Sequence, residues 1–183
     1  MDLVTAWHDF IERSLDWYKQ QQQPLLTERD KQLPSPCELT PVGDDQVEWK
    51  PVLQEQHLDF TAVEQALELQ LHQDIKHYYG TWLGGGLAAA HPDGKLLLLM
   101  PWHEADCDRL KENIIGHILM KRRLKQRETV FIAVTDDEQT VISILNETGE
   151  VFAERVGKEV ERKLADNLAA FLQQLEPASS EGL

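Results

Sequence analysis

The sequence predicts an α+β fold in a single domain spanning residues 1–183, a mostly antiparallel twisted sheet packed with amphipathic helices. Apolar residues recur at helical spacing in four stretches, and short β-branched runs separated by turn residues lie among them. These runs predict a meander of hairpins. Because helices and strands do not alternate in a repeating βαβ pattern, a parallel α/β sheet is not expected.

The first helix is predicted over residues 2–22, ending before Pro24. Its apolar stripe consists of Leu3, Trp7, Phe10, Ser14 and Trp17. The segment 24–41 contains four prolines, so we expect a connection with little regular structure. A turn at residues 43–45 then leads into a short edge strand at residues 47–51, which Pro51 ends.

A second helix is predicted from Thr61 to about Tyr79, because Thr61 and Glu64 have the spacing of a capping box. Residues 84–86 are three glycines that end this pattern. They lack the Gly-Lys-Ser/Thr of a phosphate-binding loop, so we interpret them as a flexible turn. A strand at residues 87–90, a hairpin turn at residues 92–94 and a buried strand at residues 96–100 are expected next.

The longest helix is predicted over residues 102–127 and should form the centre of the fold. Cys107, Leu110, Ile114 and Ile118 form its apolar stripe. Its first turns are acidic and its last turns basic, as the helix macrodipole favours. The basic run 121–127 could contact phosphate or lipid, but the sequence favours the simpler interpretation of a cationic helix end.

Three strands, at residues 130–134, 141–145 and 150–154, are predicted to form the meander. A closing helix should carry the apolar stripe Val160, Leu164, Leu168, Phe171, Leu172 and Leu175. Pro177 ends this helix, and we expect residues 177–183 to form a disordered tail.

The residues point to no catalytic centre, metal site or cofactor. His103 and Cys107 have the spacing of a base and a nucleophile, but Cys107 belongs to the apolar stripe and should be a buried structural thiol. The seven histidines show no zinc-binding spacing. The sequence therefore predicts a protein that is not an enzyme and takes no small-molecule substrate.

Charge is the most informative property of the composition. The chain has 32 acidic and 18 basic residues, a formal net charge of −14, which disfavours nucleic acid and favours basic partners. Ordinary solubility explains part of this excess. The acids are concentrated in stretches with few cations, and we expect them to converge into one partner-binding surface. Its predicted residues are Glu64, Glu68, Glu104, Asp106, Asp108, Asp136, Asp137 and Glu138.

The compartment is predicted to be the cytoplasm. The first ten residues include Asp2 and Asp9 and no basic segment, so no signal peptide is expected. The longest apolar runs are too short to span a bilayer. The two cysteines, Cys37 and Cys107, favour reduced thiols.

Several short motifs distributed along the chain resemble those of one known family. They are Pro34-Ser35-Pro36-Cys37, Ala62-Val63-Glu64, Tyr78-Tyr79, Glu112-Asn113-Ile114-Ile115-Gly116-His117, Arg123-Leu124-Lys125, Phe131-Ile132-Ala133, Val141-Ile142-Ser143, Gly149-Glu150-Val151 and Asn167-Leu168-Ala169. In this order they resemble the Syd family, the SecY-interacting proteins of Gram-negative bacteria, within the SUKH superfamily of α+β binding modules.

The resemblance implies a non-enzymatic protein that docks through an acidic groove on the basic cytoplasmic loops of SecY, the translocon channel. It implies a role in monitoring or negatively regulating improperly assembled SecY. The protein would be peripheral at the cytoplasmic face of the inner membrane, with membrane contact only through SecY. The alternative that SUKH relatives suggest is an immunity-type module that neutralises a basic toxin. Of the predicted binding residues, only Glu64 lies inside a matching motif.

Overall fold

The computed structural model describes residues 1–183 and confirms a mixed α+β single-domain fold. The helices are α1 (Leu3–Gln20), α2 (Thr61–Leu67), α3 (Gln73–Thr81), α4 (Glu104–Arg123) and α5 (Leu168–Gln174). The strands are β1 (Leu26–Glu28), β2 (Glu38–Val42), β3 (Gln46–Trp49), β4 (Val52–Leu53), β5 (Trp82–Leu83), β6 (Leu87–His91), β7 (Gly94–Leu98), β8 (Thr129–Thr135), β9 (Thr140–Leu145), β10 (Val151–Arg155), β11 (Arg162–Ala165) and β12 (Glu176–Pro177). No helix has the length and apolar composition that crossing a bilayer would require.

The main sheet has seven strands in the order β11-β10-β9-β8-β7-β6-β12, and every neighbouring pair is antiparallel. The predicted meander is therefore confirmed. Arg162 on β11 contacts Asp93, in the turn between β6 and β7, at 2.6 Å. In a flat sheet, the four strand spacings from β11 to β7 would span about 19 Å. The sheet therefore curls strongly at this edge.

The main hydrophobic core is one cluster to which the sheet and all five helices contribute. The rings of Trp7 and Tyr78 stack with their centroids 4.9 Å apart, and both side chains are almost completely buried. The Tyr78 hydroxyl donates to the Leu99 carbonyl at 2.9 Å, and the Tyr79 hydroxyl donates to the Phe131 carbonyl at 2.6 Å. These bonds satisfy the buried hydroxyls and fix α3 against strand β8.

Helix α4 confirms the predicted central helix. The His103 side chain caps its first turn, where Nδ1 accepts from the Asp106 backbone N–H at 3.2 Å. Ile114 and Ile118 are completely buried. Lys121, which belongs to the predicted cationic helix end, is also completely buried, and its Nζ lies 2.7 Å from the Glu154 carboxylate on β10.

The segment 24–41 is more regular than predicted. It supplies β1 and β2, which flank β3 in a separate three-stranded sheet of order β1-β3-β2. The strand predicted at residues 47–51 as an edge strand is therefore the central one. The predicted flexible glycine turn is instead a packing site, because a Cβ on Gly84 would lie 2.9 Å from Trp49 Cζ3.

The helix predicted from Thr61 to about Tyr79 is broken into α2 and α3. Glu68 adopts a left-handed conformation with φ of 48° and ends α2. The Asn146 side chain, from the turn after β9, accepts from the His72 backbone N–H at 2.8 Å and donates to the Gln70 carbonyl at 3.0 Å. These bonds satisfy backbone groups that a continuous helix would have paired internally. The predicted capping box is also absent, since Phe60 is the N-cap residue.

The predicted closing helix is only partly helical. Residues 162–165 form strand β11, which pairs with β10, and Val160 packs with Leu145 and Phe152 in a separate small cluster. Helix α5 begins only after Asn167, whose side chain accepts from the Ala170 backbone N–H at 2.8 Å. The apolar spacing suits a helix, but pairing with β10 satisfies the backbone of residues 162–165 instead.

The C-terminal segment, predicted as a disordered tail, begins with ordered contacts. Strand β12 pairs with β6, and the Ala178 backbone N–H donates to the Ala88 carbonyl at 3.3 Å. Lys95 Nζ donates to the carbonyls of Ser179 and Glu181 at 3.4 and 3.2 Å. The free edge of β6 explains this order, because an edge strand offers unpaired backbone groups to any neighbouring segment.

Candidate functional site

Six of the eight acidic residues predicted to bind a partner are exposed and have no cation within ion-pair distance. They are Glu68, Glu104, Asp108, Asp136, Asp137 and Glu138. An exposed carboxylate without an internal partner keeps its charge available to another molecule. The other two, Glu64 and Asp106, are already bonded within the fold.

Glu64 has a structural role on α2. Its carboxylate accepts from the Leu71 backbone N–H at 2.8 Å and from Lys76 Nζ at 3.1 Å. The side chain is half-buried and stabilises the turn between α2 and α3. Glu68, at the end of the same helix, projects into solvent. Its charge contributes to the raised pKa of the Arg122 guanidinium on α4, for which the hydrogen bond to Glu128 is the largest cause.

The acids at the start of α4 divide in the same way. Asp106 accepts from the Trp102 backbone N–H at 2.9 Å and pairs with Arg109, so it closes the first turn of the helix. Glu104 and Asp108 are exposed and unpaired. Glu112 follows Asp108 at the same four-residue spacing and is also exposed and unpaired. Residues four apart share one side of a helix, so these three acids form a row along the N-terminal half of α4.

Helix α2 lies beside this row. The pKa of Asp59, just before α2, is lowered mainly by hydrogen bonds from Thr61, with a smaller effect from the charge of Lys111 on α4. Lys111 is near Asp59 at the start of α2, and Arg122 is near Glu68 at its end. The two helices therefore pack side by side. We call the surface formed by Asp59, Glu68, Glu104, Asp108 and Glu112 the α2–α4 acidic face.

The remaining predicted acids are at a different edge of the molecule. Asp136, Asp137 and Glu138 occupy the turn between β8 and β9. Asp137 accepts from the Gln139 backbone N–H and the Thr140 hydroxyl, and these bonds lower its pKa. This turn lies at the other end of β7 from the start of α4, because β7 runs from the neighbouring turn at residues 92–94 towards α4.

The β8–β9 turn borders a surface pocket of about 220 Å³ whose charges are mixed. Asp136 and Asp137 line it together with Asp93, and Lys95 and Arg162 line it as well. The local cations reduce the negative field at this edge. The structure therefore separates the predicted acids into two regions. Cations lie beside both of them, Lys95 and Arg162 at the pocket and Lys111 and Arg122 at the α2–α4 acidic face.

The structure contains no grouping of three or more histidine, cysteine, aspartate or glutamate side chains that could hold a metal ion. Both cysteines are buried and free. Burial is the main cause that raises the pKa of the Cys107 thiol. Lys111 opposes it as the next largest effect, and Asp106, Asp108 and Glu104 each raise the pKa by less. A thiol of raised pKa is a poor nucleophile at neutral pH. These surroundings favour the structural interpretation of Cys107.

Sequence reasoning missed Asp59 and Glu112 on the α2–α4 acidic face. The signal for Glu112 was present, since it extends the Glu104–Asp108 spacing by one more step of four. Asp59 could not be assigned in this way, because its position depends on the packing of α2 against α4. Asp93 was also missed, although two adjacent hairpins place their turns at the same edge.

Comparisons with known proteins agree over almost the whole chain. A family model described as Syd protein (SUKH-2) matches residues 4–177. "Protein Syd" of Pseudoalteromonas atlantica is 42% identical over 176 residues, covering 94% of this chain and 95% of the relative. "Protein Syd" of Colwellia psychrerythraea is 47% identical over 157 residues, covering 81% and 78%. "Protein Syd" of Yersinia pseudotuberculosis is 37% identical over 182 residues, covering 99% of both chains.

Proposed function

The chain belongs to the Syd (SUKH-2) family, and from this membership we propose that it is a non-enzymatic binding protein for the SecY translocon channel. Its acidic surface docks on the basic cytoplasmic loops of SecY. Through this contact the protein monitors or negatively regulates SecY that is improperly assembled. It acts from the cytoplasm, peripherally at the inner membrane.

One observation supports the proposal most directly. The α2–α4 acidic face presents five exposed carboxylates, and none of them has an ion-pair partner in the fold. A protein that needed acids only for solubility would intersperse the two signs more evenly. Cytoplasmic loops of membrane proteins carry an excess of Lys and Arg, so the two surfaces are complementary in charge.

In such an interface the charges mainly raise the association rate and the specificity, and they raise the affinity less. Fields of exposed charges decay over about 8 Å at physiological ionic strength, so binding through the α2–α4 acidic face should weaken as salt rises. Folding should not weaken in the same way, because salt screens the self-repulsion of the net charge of −14.

The test measures binding to vesicles that contain SecY at low salt. In the first variant, Glu104→Gln, Asp108→Asn and Glu112→Gln remove the acidic row of α4 without changing side-chain size. We expect about tenfold weaker binding, because each exposed charge pair contributes up to about 1 kcal/mol. The matched control removes three exposed, unpaired acids elsewhere through Glu12→Gln, Asp16→Asn and Glu147→Gln, and should bind like the unmodified protein.

A second variant tests the β8–β9 turn. Asp136→Lys and Glu138→Lys reverse two charges but leave Asp137, whose carboxylate bonds the turn. Unchanged affinity would remove this turn from the contact. Equal binding by the α4 variant and its control would contradict the proposal. Capture of a soluble basic protein instead of SecY from cell fractions would favour the immunity-type alternative.

A further inference from the structure

The C-terminal end of α4 differs from the rest of this acidic protein. Residues 119–127 hold five of the 18 Lys and Arg residues and no acid. Helix α4 therefore changes character along its exposed side, from the row Glu104, Asp108 and Glu112 to a basic end. The distance along the helix from Glu112 to Arg123 is about 16 Å, roughly two Debye lengths at physiological salt. Only Glu68 of the α2–α4 acidic face lies near the basic end, where its charge acts on Arg122.

Three of the five cations are already paired within the fold. Lys121 is buried with Glu154, Arg122 Nε lies 2.7 Å from the Glu128 carboxylate, and Arg127 Nε lies 3.5 Å from Glu159. Arg123 and Lys125 are exposed and have no carboxylate within 4.0 Å. The helix dipole favours cations here, and Arg123 and Lys125 are the two whose charge no carboxylate neutralises.

Exposed apolar side chains accompany these free cations. Leu119 in α4 and Leu124, which is the C-cap residue, are each 46% exposed and lie on different sides of the helix end. The turn between β10 and β11 lies against this end, because Gln126 Nε2 donates to the Gly157 carbonyl at 2.9 Å. That turn adds Lys158, exposed and unpaired, and Val156, which is 49% exposed. We call Leu119, Arg123, Leu124, Lys125 and Lys158 the basic–apolar tip.

We propose that the basic–apolar tip binds the surface of an anionic lipid bilayer. Lys and Arg near such a surface are attracted to anionic headgroups, and leucine side chains gain free energy at the boundary with the acyl chains. A nucleic acid would attract the cations but offer nothing to the leucines. The net charge of −14 opposes this contact, but charges beyond about 8 Å are screened at physiological salt. Glu128 and Glu159, which lie beside the tip, are paired with Arg122 and Arg127.

This inference departs from the expectation of membrane contact only through SecY, so the test uses vesicles that contain no protein. Cosedimentation is measured with vesicles of phosphatidylglycerol mixed with phosphatidylcholine, and with phosphatidylcholine alone. We expect salt-sensitive binding to the anionic vesicles only. Arg123→Glu with Lys125→Glu should weaken it by about 30-fold or more, from the loss of two cations. Leu119→Ser with Leu124→Ser should weaken it severalfold at unchanged charge.

The matched control reverses two exposed, unpaired cations elsewhere, through Lys19→Glu with Lys31→Glu, and should bind as the unmodified protein does. All substituted side chains are exposed, so every variant should fold, and urea unfolding checks this. The proposal would be overturned if the protein did not bind anionic vesicles, or if the control lost as much vesicle binding as the Arg123 and Lys125 variant. So would binding to duplex DNA that depends on Arg123 and Lys125 but not on the two leucines.

Discussion

The buried ion pair of Lys121 and Glu154 gives the sharpest test of how this fold is stabilised. Both side chains are inaccessible to solvent, and Lys121 Nζ lies 2.7 Å from Glu154 Oε1. The Thr129 hydroxyl donates to the same carboxylate at 2.9–3.0 Å, and the Lys158 carbonyl accepts from Lys121 at 2.8 Å. The pair joins α4 to β10, so its loss should destabilise the whole domain.

The magnitude follows from the pKa of Glu154. Burial alone would raise it, but His117, whose Nε2 lies 3.7 Å from the carboxylate, and Lys121 together outweigh burial and lower it from 4.5 to about 2. This shift corresponds to about 3 kcal/mol of folding free energy at neutral pH. Removing one partner of a buried pair typically costs about 3–5 kcal/mol, because the other charge stays buried. We therefore expect Glu154→Gln to lower the free energy of unfolding by about 3 kcal/mol.

The assay is urea unfolding followed by tryptophan fluorescence, for which the buried Trp7 and Trp49 are suitable reporters. A double variant, Lys121→Met with Glu154→Leu, removes both charges and should be within about 1 kcal/mol of the unmodified protein. A loss below about 1 kcal/mol in Glu154→Gln would refute the reasoning. So would a double variant no more stable than the single one.

The pH dependence provides a second measurement of the same pair. Because the pKa of Glu154 is lower in the folded state, its stabilisation is complete above about pH 4.5 and is lost as the pH falls towards about 2. The difference in unfolding free energy between the unmodified protein and Glu154→Gln should therefore shrink across this window. A difference that stays constant from pH 5 to pH 2 would contradict the assignment.

Other substitutions test the local structure. Gly149→Ala should cost about 1–3 kcal/mol, since Gly149 has φ of 82° and a Cβ there would lie 2.5 Å from His72 Nε2. Gly116→Ala is its control and should stabilise α4 by about 0.5–1 kcal/mol, because nothing lies within 4 Å of the new Cβ. Glu68→Gly should raise thermal stability by up to about 1 kcal/mol by relieving the left-handed φ of 48°, while weakening SecY binding. Ser35→Ala should cost about 1–3 kcal/mol by removing the 2.6 Å bond that its hydroxyl donates to the Trp102 carbonyl. Urea unfolding measures the free energy of unfolding of the Gly149, Gly116 and Ser35 variants. A change of the opposite sign in either glycine variant would contradict the explanation given for it.

The elements with strong local signals were predictable. Helices α1 and α4 have apolar stripes and end signals within their own residues, and strands β6–β10 have β-branched or apolar runs separated by turn residues. The regions predicted incorrectly depend on distant partners. The break at Glu68 is stabilised by Asn146, and strand β11 forms because β10 offers an edge.

The candidate site was predictable in composition but not in arrangement. Sequence alone identified stretches in which acids outnumber cations, and six of eight chosen acids are exposed and unpaired. It could not show that Glu64 pairs with Lys76, twelve residues along the chain, or that the β8–β9 turn lies beside Arg162. Ion pairs between elements require the packed fold, so their partners cannot be read from local spacing.

The sequence by itself determined the α+β class, the central helix, the meander and the negative charge of this protein, because helical and strand periodicity and net charge are local or additive properties. The tertiary structure decided which charges remain free for a partner. Lys121 and Arg123 are two residues apart in one basic run, yet one is buried against Glu154 and the other faces solvent. That difference arises from packing against β10, where a carboxylate 33 residues away in sequence compensates the desolvated ammonium.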